Sequence, residues 1–225
     1  DGIRDLVRSR GLGDVYKRQV FNNPQAAFLA KDKRDSLLIL AAAGLSIVPT
    51  SVNYSSFFLD EQLRRNSGRI VAKSNAGSLG YGVSVFDSHI SFISFMEFLC
   101  GIEIDASKIC IQPYINANAE DYRLYVVGDK VVAGMKRKAN GIEFRANISK
   151  GGLGEKIKIT KEMSDLAIKA NKILGLDFSG VDIIKDENGN LMILEVNCNA
   201  QMKIEKITGK NVASAIVKYC VKKSR

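Results

Sequence analysis

Apolar positions along this chain follow two periods. Between residues 22 and 44 they recur at helical spacing, with Leu37, Leu38, Leu40, Ala41 and Leu45 on one stripe, Gly44 as a stop and Pro49 just beyond. Residues 90–100 read the same way, as do residues 160–175 behind a Thr160 cap and a last helix over 211–222. Strand-like runs occupy 69–73, 83–86 and 108–115, and residues 121–139 predict a hairpin turning at Gly128-Asp129. No internal repeat and no low-complexity linker interrupts the series. Helices alternating with antiparallel hairpins make the class α+β rather than doubly wound.

The most informative stretch is residues 179–197. Asn188-Gly189 signals a two-residue type I′ turn flanked by alternating apolar residues. Folding about that turn sets Glu187 opposite Asn190, Ile183 opposite Leu194, and Asp182 opposite Glu195. Asn197, two residues on, shares the face of Glu195, while Val181, Ile183, Leu194 and Val196 point into a core. Carboxylates facing each other on a sheet cost up to about 1 kcal/mol. A hard cation with oxygen ligands offsets that repulsion, and Mg²⁺ typically takes one or two carboxylates plus substrate phosphates. Without the cation, one carboxylate of the pair is expected to titrate high, and Gly180, facing Asn197, leaves room for phosphate or metal-bound water. A solvated polar face on an ordinary hairpin fits this segment equally well.

Composition narrows the classes. The chain has 225 residues, 46% hydrophobic, enough for a sizeable core in one or two domains. No apolar run reaches membrane-span length, and no signal peptide is recognisable. Cys100, Cys110, Cys198 and Cys220 lack metal-ligand spacing, and His89 is the only histidine. Zinc and a disulfide framework are therefore disfavoured, and a reducing cytoplasm is expected. The net charge of +9 is scattered rather than clustered with aromatics, which suits acidic small molecules as well as nucleic acid.

Residues 1–19 lack the character of the rest, with five basic residues, three glycines and no clean period. Asp14-Val-Tyr-Lys-Arg-Gln19 can be encoded by GAT GTG TAT AAG AGA CAG, which resembles a transposase end sequence used in DNA sequencing libraries. This tail is read as adapter-derived and excluded from fold reasoning.

Gly77-Ser78-Leu-Gly80-Tyr-Gly82-Val83 lies between two predicted strands and opens no helix, which argues against the dinucleotide fingerprint and the P-loop. Its glycines permit positive φ and close approach of backbone N–H groups to phosphate, and Lys73 adds a point charge beside them. A plain flexible turn has the same letters.

Taken in order, Lys73 with the glycine-rich loop, Gln112-Pro113-Tyr114-Ile115, Asp121-x-Arg123 and the Asp182/Glu195-x-Asn197 hairpin resemble the ATP-grasp carboxylate–amine ligases, most closely the RimK-like branch. Asp32-Lys33 before Gly44-Leu-Ser-Ile-Val-Pro49-Thr50, the central hairpin from Tyr125, Phe144-Arg145-Ala-Asn147 before Gly151-Gly152, and Ile204-Glu-Lys-Ile-Thr-Gly209 extend the likeness over roughly residues 22–222.

The resemblance implies an ATP-grasp fold of two α+β lobes with ATP between them. Residues 20–112 would form the first lobe and 113–225 the second, with a preceding N-terminal domain mostly missing. It implies that Lys33 and Lys73 reach the ATP phosphates under a lid of Gly77, Ser78, Gly80, Gly82 and Val83. Gln112 and Pro113 would lead to Tyr114 and Ile115, which bracket the adenine, with Asp121 on the ribose side. Arg123, Arg137, Arg145 and Asn147 would face the transferred phosphoryl group and the acceptor, and Asp182, Glu195 and Asn197 would hold two Mg²⁺ (or Mn²⁺) ions. The implied activity is ATP-dependent joining of a carboxylate to an amine through an acyl phosphate, with an amino acid of the glutamate type added to a peptide or small molecule. A catalytically incomplete ATP-binding module and an N-acyl amino acid biosynthetic ligase are the alternatives. The implied partners are small-molecule or peptide substrates, with no specific nucleic acid, no membrane and a homo-oligomer left open.

Two departures stand out. Pro113 replaces the acidic residue the family usually carries beside the adenine. After Asn197 the chain reads Cys198-Asn-Ala-Gln-Met-Lys203 rather than a Ser-Pro-Gly type turn, and this loop borders the acceptor.

Overall fold

A computed structural model describes residues 19–51, 68–75, 82–105, 108–140, 146, 148 and 151–224. Its N-terminal helical region is two helices rather than one. Asn23 caps α1 (Pro24–Lys31), with Pro24 in the first turn where its missing N–H costs nothing. Asp32 then takes an extended backbone and caps α2 (Lys33–Ala42), its carboxylate accepting the Asp35 N–H at 2.8 Å. A short acidic side chain competes for backbone N–H groups in this way, so it starts a helix more readily than it continues one. Gly44, at φ +79°, ends α2, and the Leu45 N–H returns to the Leu40 carbonyl.

The strands form two antiparallel sheets. The smaller contains β1 (Ile70–Ser74), β2 (Val83–Phe86) and β3 (Ile109–Pro113) in the order β2-β1-β3, with α3 (His89–Gly101) between β2 and β3 in the chain. Ile70, Ala72 and Ile111 pack on Phe92, Met96 and Leu99 of α3. The larger contains β4 (Glu120–Val127), β5 (Lys130–Lys138), β6 (Leu153–Lys156), β7 (Phe178–Lys185) and β8 (Leu191–Asn197) in the order β6-β5-β4-β7-β8. Between β6 and β7 runs α4 (Lys161–Ile173), capped by Thr160 as its sequence predicts, and α5 (Lys203–Thr208) and α6 (Val212–Lys223) follow β8.

Both faces of the larger sheet carry a core. On one, Leu124, Val126, Val181, Ile183 and Val196 meet α1, α2 and α4. On the other, Tyr125, Val127, Ala133 and Met135 meet Ile204 of α5 and Val212 of α6. On the same face the strands also carry Asp121, Arg137 and Asp182, which are buried, and Arg123, Glu195 and Asn197, which are half-buried.

Ala26, Ala30, Leu37 and Leu40 belong to the core of the larger sheet, because the apolar stripes of α1 and α2 find their complement there. Residues 47–51 tie the sheets together, with Ile47 bridging Ile193 of β8 and Ser51 bridging Ile111 of β3. Among the described residues, no helix is long and apolar enough to cross a membrane.

Candidate active site

The hairpin of β7 and β8 has the expected pairing where it matters and a different turn. Gly180 faces Asn197, Val181 faces Val196, and Asp182 faces Glu195. The loop is not a two-residue type I′ turn, since Gly189 has φ +88° but Asn188 does not share the positive region. Asp186 organises it instead, accepting the N–H groups of Asn188 and Asn190 at 3.0 and 2.8 Å, and the Gly189 N–H bonds to the Asp186 carbonyl. This longer loop shifts the register by one, so Ile183 faces Ile193 rather than Leu194. A bulge between Ile183 and Asp182 shifts it back. Ile193 therefore takes the core position expected of Leu194, which is only half-buried.

Charges on this face alternate. Arg123 of β4 pairs in register with Asp182 of β7, and Asp121 of β4 with Arg137 of β5. Arg123 donates Nε and Nη2 to the two oxygens of Asp182 at 2.7 and 2.6 Å. Arg137 does the same to Asp121 at 2.6 and 2.8 Å, and its Nη2 also reaches Asp182 Oδ2 at 2.9 Å. Glu195 sits at the edge of this set. Its Oε1 lies 3.9 Å from Arg123 Nη2 and accepts from Asn197 Nδ2 at 3.0 Å, while its Oε2 is 4.0 Å from Lys33 Nζ.

The arginines reverse one expectation. Burial pushes the Asp182 carboxyl upward, but the Arg123 and Arg137 guanidiniums outweigh it and hold the group well below the usual carboxylate range. Asp182 thus shows no rise from its proximity to Glu195. The raised carboxyl is Asp121, where burial outweighs Arg137. Both Asp121 oxygens are taken by Arg137, so its place is beneath the site rather than free at its surface. Gly180 does not leave a hollow either. A Cβ there would collide with the Cβ of Ala200, so the missing side chain lets the turn after Asn197 close onto β7.

Lys73 lies on β1 opposite Val83 and Cys110. These three alternate with the residues that pack on α3 and so occupy the other face of the smaller sheet. Burial pushes the Lys73 ammonium below its ordinary value, and the Glu195 carboxylate opposes that shift. Gly82 closes the base of the loop at φ +68°, its carbonyl accepting the Ser74 N–H at 2.7 Å. Gln112 is buried and donates to Thr50 Oγ1 at 2.9 Å. Pro113 ends β3, and Tyr114 and the half-buried Ile115 follow it. The Arg69 guanidinium stacks 4.1 Å from the centroid of the Tyr114 ring. Gly77, Ser78, Gly80, Arg145 and Asn147 lie outside the described residues, as do residues 1–18. Sequence reasoning missed Asn75 and the α5 helix. The only signal for Asn75 was an amide at the end of a strand, just before the glycine-rich loop.

Lys33, two arginines and a carboxylate pair thus converge from the larger sheet and the start of α2. A family model described as the RimK-like ATP-grasp domain matches residues 30–220. The chain belongs to the RimK-like ATP-grasp family. A probable alpha-L-glutamate ligase of Mannheimia succiniciproducens is 38% identical over 204 residues, which cover 90% of this chain and 67% of the relative. Another from Pseudomonas putida is 36% identical over 220 residues, covering 96% and 71%. This RimK-like chain therefore spans about two thirds of the length of such relatives. Among solved structures, the ATP-grasp ligase PsnB with a phosphomimetic precursor variant, Mg and ADP superposes with TM-score 0.74 at 22% identity, over 94% of this chain and 64% of PsnB. D-alanine–D-alanine ligase from Bacillus anthracis gives 0.66 at 18% identity, over 90% and 69%. The structural likenesses establish the ATP-grasp fold, and the family places the chain among the carboxylate–amine ligases.

The donor set suits a hard cation. Two carboxylates and an amide on one face are oxygen donors. Asp182 Oδ1 accepts from Arg123 Nε at 2.7 Å, and a carboxylate oxygen has lone pairs for a further partner.

Proposed function

We propose that this chain uses ATP to join a carboxylate to an amine through an acyl phosphate, with an amino acid of the glutamate type as one substrate and a peptide or small molecule as the other. The observation that carries the proposal is the placement of Asp182, Glu195 and Asn197 on one sheet face, backed by Arg123 and Arg137 and met by Lys33. Phosphoryl transfer asks a protein mainly for positioning and charge neutralisation, and this arrangement offers both.

In the proposed reaction a substrate carboxylate oxygen attacks the γ-phosphorus and ADP leaves. The amine nitrogen then attacks the acyl carbon, phosphate departs, and the nitrogen loses a proton. Lys33 and Lys73 steer and neutralise the phosphates. Arg123 lies closest to the open side and is suited to the transferring group, while Arg137 and Asp121 hold Asp182 from below. Asp182, Glu195 and Asn197 would hold Mg²⁺, which supplies charge neutralisation for the β- and γ-phosphates. Two ions and a cytoplasmic setting belong to the same proposal, the latter supported by four free cysteines.

The test is ADP release against panels of carboxylates and amines, with hydroxylamine added to trap the acyl phosphate as a hydroxamate. Release that needs both substrates, and hydroxamate when the amine is omitted, are expected. Magnesium-dependent ATP binding with neither product would overturn the ligase and leave a nucleotide-binding module.

A further inference from the structure

The start of α2 is held by a residue 43 positions away. Asn75, at the end of β1, donates from Nδ2 to Asp32 Oδ2 at 2.5 Å and accepts the Arg34 N–H on Oδ1 at 2.8 Å. Its backbone carbonyl accepts the Lys33 N–H at 3.2 Å, and its own N–H bonds to the Lys108 carbonyl at 2.7 Å. Asp32 completes the turn by taking the Asp35 N–H on its side chain and the Ser36 N–H on its carbonyl. The N–H groups of Lys33, Arg34 and Asp35, which a helix otherwise leaves unpaired, are all used. None remains to meet an anion, so phosphate recognition here falls to the Lys33 ammonium rather than to the helix terminus.

A local Asp32 cap would suffice to start a helix. What Asn75 adds is a link between two bodies. The helix α2 is packed in the core of the larger sheet, whereas β1 belongs to the core of the smaller one. Lys33 begins the first and Lys73 lies two residues before Asn75 on the second. We propose that Asn75 and Asp32 form a clasp that positions Lys33 and Lys73 as one phosphate-binding unit across the two sheets. The inference rests on the nucleotide reading given above, and both residues act through the lysines rather than on the substrate.

The geometry supplies its own test, because the three side-chain hydrogen bonds survive exchange of the two residues. In the double variant Asn75→Asp with Asp32→Asn, the new carboxylate at position 75 accepts the Arg34 N–H and an amide N–H from position 32. The amide oxygen at 32 in turn accepts the Asp35 N–H. Either single substitution breaks the set, since Asn75→Asp opposes two carboxylates and Asp32→Asn opposes two amide NH₂ groups. Binding of a non-hydrolysable ATP analogue with Mg²⁺ is measured by calorimetry, KM for ATP and kcat by ADP release, and amide exchange is followed at Lys33 and Arg34. Each single variant is expected to raise Kd and KM for nucleotide about tenfold with kcat changed less than about threefold, and to speed exchange. The double variant is expected to return all of them to within about threefold of the parent. Parent-like nucleotide affinity in both single variants, or no rescue in the double, overturns the clasp. If the parent chain itself binds no nucleotide, the positioning role fails with the nucleotide reading, while amide exchange still reports whether the hydrogen-bonded clasp exists.

Discussion

Arg137 on β5 reaches Asp182 on β7 across the full width of the intervening strand, Nη2 to Oδ2 at 2.9 Å. The same guanidinium holds Asp121 by two bonds, so one cation neutralises two buried carboxylates. Arg137 is 2% exposed and Asp182 0%. Such a set contributes less by its attraction than it loses when one member is removed. Arg137→Met should therefore cost about 3–5 kcal/mol, read as a lower urea midpoint. Arg137→Lys keeps the charge but not the planar fork, and should fall between the two. A midpoint unchanged in the Met variant would show that the network contributes nothing to the fold.

The two aspartates should shape acid unfolding in opposite senses. Asp182 is held below its ordinary value by the arginines, so its contribution is complete above the unfolded pKa of about 3.9 and is lost as the pH falls below it. Asp121 is raised by burial, so the fold takes up its proton more readily than the unfolded chain, and stability from this group grows as the pH drops. Asp182→Asn should flatten the decline in stability below about pH 4, and Asp121→Asn should steepen it. Urea midpoints collected from pH 7 to pH 3 check both, and equal slopes in the two variants would contradict the assignment.

Lys73 is half-buried, and burial holds its ammonium below the ordinary value. A desolvated charge of this kind adds little to folding, so Lys73→Ala should leave the thermal midpoint within a few degrees of the parent. Its role lies with the nucleotide, and Kd for Mg-ATP should rise at least about tenfold. Unchanged affinity would remove Lys73 from the phosphate site.

Much of this site was legible because its residues lie close in sequence and in a two-residue period. Asp182, Glu195 and Asn197 could be set on one face from a hairpin alone, and Asp121 with Arg123 from a strand. That success was partly cancellation. The turn at Asn188-Gly189 is longer than its letters suggest, and the bulge beside Asp182 restores the pairing. The arginine network was hidden, since nothing local tells Arg137 that Asp182 lies two strands away. The break at Asp32 was hidden as well, because helical periodicity continues through it and only a partner at Asn75 makes the interruption useful. Gly180 was read as space for a ligand, when the tertiary fold had already assigned that space to Ala200.

Glu195 separates chemistry from folding more sharply than any other position. Its oxygens face Asn197, Arg123 and Lys33 at 3.0, 3.9 and 4.0 Å, a loose and partly exposed set compared with the tight bonds around Asp182. Partly exposed ion pairs at such distances are worth at most about 1 kcal/mol, so Glu195→Gln should move the folding free energy by no more than that. The relief of like charge expected from an isolated Asp182/Glu195 pair is absent, because Arg123 and Arg137 already neutralise Asp182. A hard cation, by contrast, needs the anionic oxygen that the substitution removes. Turnover in Mg-ATP should fall at least about 100-fold, while the urea midpoint stays near that of the parent. Raising Mg²⁺ should recover part of the loss if Glu195 acts through the ion. Full activity in the Gln variant would end the metal-site reading, and a collapse of stability would show that Glu195 serves the fold instead.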